Sequence, residues 1–149
     1  MYLGLFISQS LIKTREKKHQ GINVNDVENF VKQLNKAQEL MSQEKYKEAI
    51  VLLEKLKARE KEGDFDYSLT HKLYQLLSNS YSLYNQQIIL KALKKISKKQ
   101  NFVTFKDLLE ELIKNEEIDI DEPILKREVE LLILRNQMSC KISSDKIEF

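Results

Sequence analysis

Met138-Ser139-Cys140-Lys141-Ile142-Ser143-Ser144-Asp145-Lys146-Ile147-Glu148-Phe149 puts an apolar side chain at every second position on either side of a polar turn. A period of two places Met138, Cys140 and Ile142 on one face of an extended chain, and Ile147 with Phe149 on the same face of the return strand. The stretch therefore predicts a two-stranded hairpin turning at Ser143-Ser144-Asp145. Upstream, Pro123 suits the first turn of a helix carrying Ile124, Leu125, Val129, Leu131, Leu132, Ile133 and Leu134. Before that, Thr104 to Asp107 fits a capping pattern and opens a helix with Phe105, Leu108, Leu109, Leu112 and Ile113. Asn101-Phe102-Val103 is a short β-prone piece. Gln86 to Gln100 reads as a helix with Ile88, Ile89, Ala92, Leu93 and Ile96 inside and lysines outside.

Helix, short strand, helix, helix and hairpin is the element order of a winged helix. The N-terminal half is helical throughout. Val27, Phe30, Val31, Leu34, Ala37, Leu40 and Met41 form a stripe after a break at Gly21, with Asn25 or Asp26 as the expected cap. A second helix runs from Tyr46 to Lys61, and Gly63 is expected to end it in the left-handed conformation. A third runs from Tyr67 to Tyr84. Tyr67, Tyr74 and Tyr81 are spaced by seven and share a face, which reads as packing or as an aromatic surface for a partner. The expected fold is mainly α: a helical-repeat-like hairpin packed on a C-terminal winged helix with a small β-hairpin. The expected parts are an N-terminal helix or arm over 1–21, a helical region over 22–85 and the winged helix over 86–149.

Two stretches resemble known families. Ala37-Gln-Glu-Leu-Met41-Ser-Gln-Glu-Lys45-Tyr46-Lys-Glu48-Ala49-Ile50-Val-Leu-Leu53-Glu-Lys-Leu56 resembles the middle of a tetratricopeptide repeat, with Glu44 or Gln43 where that family has glycine. One and a half repeats cannot bury their own faces, so this hairpin needs a neighbour. Glu128-Val129-Glu-Leu131-Leu132-Ile133-Leu134-Arg-Asn-Gln-Met138-Ser-Cys-Lys141-Ile142-Ser-Ser-Asp145 resembles the end of a PCI domain, with Cys140 in place of the usual glycine. That module occurs in subunits of the proteasome lid, the COP-nine signalosome and translation initiation factors, and follows stacked helical hairpins there. The same C-terminal residues also resemble the winged helix of the replication protein A middle subunit and its telomeric relative. These resemblances imply a non-catalytic adaptor or scaffold, with other subunits of a larger complex as partners. The alternative they imply is a winged-helix protein of a replication or telomere complex.

Composition narrows the chemistry. With 42% hydrophobic and 32% charged residues, the 149-residue chain is too apolar to be disordered. Three glycines exclude a Gly-rich phosphate loop, and the single Cys140 excludes an intramolecular disulfide or a multi-cysteine zinc site. Cys140 reads as a packing residue in a reducing compartment, so a cytoplasmic or nuclear location is expected. His19 lies in a lysine run, and His71, beside Tyr67 and Tyr74, reads as half-buried packing. With no paired histidines, nucleophile elbow or P-loop, no catalytic, metal or cofactor site is expected. The N-terminal apolar run is too short to span a bilayer. Tyr2, Leu5, Phe6 and Ile12 with trailing Lys/Arg fit an interfacial helix, but a first helix docked on the protein or on a partner is the preferred reading, and membrane contact is not expected.

Net charge is +2, without the basic excess of a nucleic-acid binder. The charges are nevertheless segregated. Residues 86–106 hold six lysines and no acid, while 107–149 hold twelve acids against six bases. An acidic last helix and wing would repel phosphates. Lys91, Lys94, Lys95, Lys98 and Lys99 are either the solvated back of a helix or a patch for phosphate or an acidic partner. The expected protein contacts are Tyr67, Tyr74 and Tyr81 on the third helix and Met138, Ile142, Ile147 and Phe149 on the hairpin, where an edge strand invites strand addition.

Overall fold

Among the described residues, helical periodicity is realised as helix. In the computed structural model, which describes residues 24–149 apart from 117, the elements are α1 (Val24–Ser42), α2 (Tyr46–Glu62), α3 (Tyr67–Ser97), β1 (Phe102–Thr104), α4 (Phe105–Glu116), α5 (Glu122–Leu134), β2 (Lys141–Ser143) and β3 (Lys146–Glu148). The fold is mainly α with a small antiparallel sheet of order β1-β3-β2. The expected arm over 1–21 lies outside the described residues. The described chain divides into one unit ending at Ser80 and a second spanning Tyr81–Phe149, with α3 contributing residues to both.

In the first unit α1 and α2 form a hairpin. Its buried side chains include Phe30, Leu34 and Ala37 of α1, Ala49, Leu53 and Leu56 of α2, and Leu73, Leu76 and Leu77 of α3. Ala37 and Ala49 are fully enclosed, and residues this small let helix backbones approach closely. Phe65, in the connection to α3, stacks on Phe30 with ring centroids 4.3 Å apart. The turn after α1 is closed by two bonds: Lys45 N–H donates to Leu40 O at 2.9 Å and Glu44 N–H to Met41 O at 3.0 Å. This is a Schellman turn, and Glu44 adopts the left-handed φ of 61° where glycine is usual.

The second unit is built around Ile89, Leu93, Val103, Phe105, Leu108, Leu112, Leu125, Val129, Leu132 and Ile147. Thr104 Oγ1 accepts from Asp107 N–H at 3.0 Å and caps α4, as its spacing predicts. Asp121 caps α5 by accepting from Ile124 N–H at 2.9 Å, with Pro123 in the first turn. A second Schellman turn ends α5, with Asn136 at φ 57°. The hairpin turns at Ser144 and Asp145, with Ser144 at φ 61°. The sheet is extended by Phe149 N–H donating to Asn101 O and Phe105 N–H to Asp145 O, both at 2.9 Å.

Three local expectations are corrected. The break between Tyr84 and Gln86 does not exist: α3 is one helix of 31 residues. Asn85, Gln86 and Gln87 lack strong helix-breaking character, and the Gln86 side chain is used inside the second unit. Gly63 is extended, at φ −120° and ψ −176°, not left-handed; α2 ends with its N–H turned back to Glu60 O at 3.4 Å. Asn25 and Asp26 lie within α1 and do not precede it, and Asp26 pairs with Arg59 of α2 at 3.9 Å.

Candidate functional site

A connected polar network in the second unit was not singled out by sequence reasoning. Glu128, one of the twelve acids of 107–149, is fully buried. Ser82 Oγ donates to Glu128 Oε1 and Oε2 at 2.8 and 3.0 Å, and Gln86 Nε2 donates to Oε1 at 2.8 Å. Arg127 Nη2 donates to Oε2 at 3.2 Å, and Arg135 Nη1 donates to Gln86 Oε1 at 2.7 Å. A buried carboxylate is tolerated because its lone pairs are filled and a guanidinium lies against it. The network ties α3 to the middle of α5 through Glu128 and to its C-cap through Arg135. Its signal was present in the sequence: Glu128 lies on the same stripe as Leu125, Val129 and Leu132, and Gln86 lies three before Ile89.

The lysines sit where the helical period puts them. Lys91, Lys94, Lys95, Lys98 and Lys99 are all exposed. Lys95 and Lys99 also border an open groove of about 500 Å³ between the end of α3 and α4. Its far wall is Asp107, Glu110, Glu111 and Lys114, and Ile96 and Val103 line it between. The groove thus has a basic and a largely acidic wall.

Of the hairpin residues expected to contact a partner, Ile147 is not available to do so. Ile147 is fully buried, and Met138, Ile142 and Phe149 are partly buried against the same core. The reason is the strand order. β3 is the central strand, paired to β1 through Val103↔Ile147 and to β2 through Ile142↔Ile147. The apolar face that the period of two defines is spent on the unit's own core. The edges are β1 and β2. Cys140 is also partly buried against this core, and burial pushes its thiol above the ordinary value.

The tyrosines remain at the surface. In the first unit Tyr67 is 78% exposed and stacks on an exposed His71, with centroids 5.9 Å apart. His71 is therefore not the half-buried packing residue its neighbours suggested. Tyr74 hydroxyl donates to Glu60 Oε1 at 3.4 Å, and Lys57 Nζ lies 5.9 Å from its ring centroid. Desolvation first, and the Glu60 carboxylate second, hold the Tyr74 phenol above its ordinary range. In the second unit Tyr81 is exposed, as are Phe102, Ile113 and Leu134. Phe102 carries the Lys146 amine 4.8 Å from its ring centroid.

The chain matches no family model, no curated protein and no solved structure. Among the described residues no group of three or more His, Cys, Asp or Glu side chains is placed to hold a metal ion. No described helix is long and apolar enough to cross a membrane. The arrangement offers exposed aromatic and cationic side chains on helices fixed by a satisfied polar network.

Proposed function

We propose that this chain is a non-catalytic adaptor subunit, acting in the cytoplasm or nucleus. In this reading a PCI-like winged helix, preceded by a tetratricopeptide-like hairpin, makes protein contacts within a larger complex. The observation that carries the reading is the order of elements. The helix of Tyr81 to Ser97, a strand, two helices and a hairpin, with sheet order β1-β3-β2, follow directly on a helical hairpin. The exposed tyrosines support it, since aromatic side chains dominate binding hot spots. The buried hairpin residues shift the expected contact away from Ile147 and toward Tyr67, Tyr74 and Tyr81.

The second reading is a winged-helix component of a DNA replication or telomere complex. The lysine face of α3 favours it, and the acids flanking α5 oppose it by repelling phosphates. The two separate on purification of the tagged full chain with and without nuclease, followed by mass spectrometry. Stoichiometric, nuclease-resistant subunits of one assembly are expected. Replication or telomere proteins that disappear on nuclease treatment would replace the adaptor reading with the second.

A further inference from the structure

Exposed helix faces usually mix charge signs, because opposite charges three or four residues apart attract and like charges repel. The α2 surface does so, with Lys47, Glu48, Lys55, Lys61 and Glu62 all exposed. The solvent face of α3 does not. Lys91 and Lys95, Lys94 and Lys98, and Lys95 and Lys99 stand four apart, and no acid intervenes. The helix dipole favours cations in the last turn but fades within that turn, so it does not account for Lys91. Among the described residues, none of these five ammonium groups forms an ion pair or hydrogen bond. Lys95 and Lys99 face the acidic wall of their own groove, but Lys91, Lys94 and Lys98 do not line it, and a negative surface laid on these three would relieve their repulsion.

The same unit carries such a surface. Asp107 and Glu110 on α4 and Asp119 before α5 are exposed. Residues 81–149 hold twelve bases and twelve acids, so their net charge is zero. A uniformly charged polyanion would be attracted by one half and repelled by the other. A second copy, turned so that its acidic side meets the lysine face, matches both. We propose that the lysine face of α3 docks the acidic α4–α5 side of a second copy. The contact is heterologous, so copies add head to tail and form open chains or rings. This association is independent of which complex the adaptor serves.

The test is molar mass of the full chain by light scattering across protein concentration. Ionic strength is set at about 0.01 M and about 1 M, where charges are felt over about 30 Å and about 3 Å. Mass should rise with concentration at low salt and return to the monomer at high salt. Lys94→Glu with Lys98→Glu, and separately Glu110→Lys with Asp119→Lys, should each weaken association about tenfold or more. An equimolar mixture of the two variants should associate again, because native faces and reversed faces each pair acid with base across the two variants. That association also certifies that both variants are folded. A wild-type chain that stays monomeric at low salt overturns the proposal without recourse to any variant, and association untouched by both reversals does so equally. A monomer that binds a single-stranded oligonucleotide through these lysines would make the face a nucleic-acid surface instead.

Discussion

Glu44 and Ser144 take left-handed φ values of 61° without being glycine. A side chain with a Cβ pays about 1–2 kcal/mol for that conformation. Glu44→Gly should therefore raise unfolding free energy by about 1 kcal/mol, read from urea denaturation with an unchanged slope. Asn136, at 57°, belongs to the residue type that tolerates this region best after glycine, so Asn136→Gly should change little. Cys140 provides a chemical probe. Its partly buried thiol resists ionisation, so alkylation at mildly alkaline pH should be much slower than after denaturation. The sign for stability follows from the raised folded value. The thiol's contribution is fully present below the unfolded-chain thiol pKa and is lost as pH rises through the folded one. Stability of the wild type should therefore fall across that range more than that of Cys140→Ser.

At the scale of elements, α3 is decisive. A helix that runs unbroken from Tyr67 to Ser97 carries Leu73, Leu76 and Leu77 in the first unit and Ile89 and Leu93 in the second. Asn85→Pro would remove a helical bond and clash with the preceding turn, at a cost of about 3 kcal/mol. Had the chain broken into two helices near this point, the substitution would be nearly silent. The Ser82–Gln86–Glu128 network links α3 to α5, and its members share buried partners. A double-mutant cycle between Gln86→Ala and Glu128→Ala should therefore show coupling of about 1 kcal/mol or more. Additive effects would mean that the carboxylate is satisfied without Gln86.

For the molecule as a whole, charge is segregated rather than abundant. The net +2 conceals a basic stretch over 86–106 and an acidic one over 107–149. Phosphate neutralisation supplies most non-specific affinity for duplex DNA, and a charge-balanced second unit has no net attraction to contribute. The full chain should therefore bind a labelled DNA duplex with a dissociation constant weaker than about 0.1 mM at physiological salt, measured by anisotropy. Saturable binding at micromolar concentration would count against the adaptor reading.

What was legible in the sequence follows from local physics. Periods near 3.6 and 2 marked the helices and the hairpin, and Thr104 and Pro123 marked where helices begin, because caps and proline act within a turn or so of the chain. The exposure of Lys91 to Lys99 followed from the same period. The tertiary structure decided what distant residues do to one another. Ile147 reads as an exposed strand residue until β1 and β2 close on both sides of it. Glu128 reads as one more acid until Ser82, Gln86 and Arg127 supply its hydrogen bonds. The continuity of α3 belongs there too. Asn85-Gln86-Gln87 is permissive of helix or break, and the Gln86 bonds to Glu128 and Arg135 reward helix only once α5 is in place.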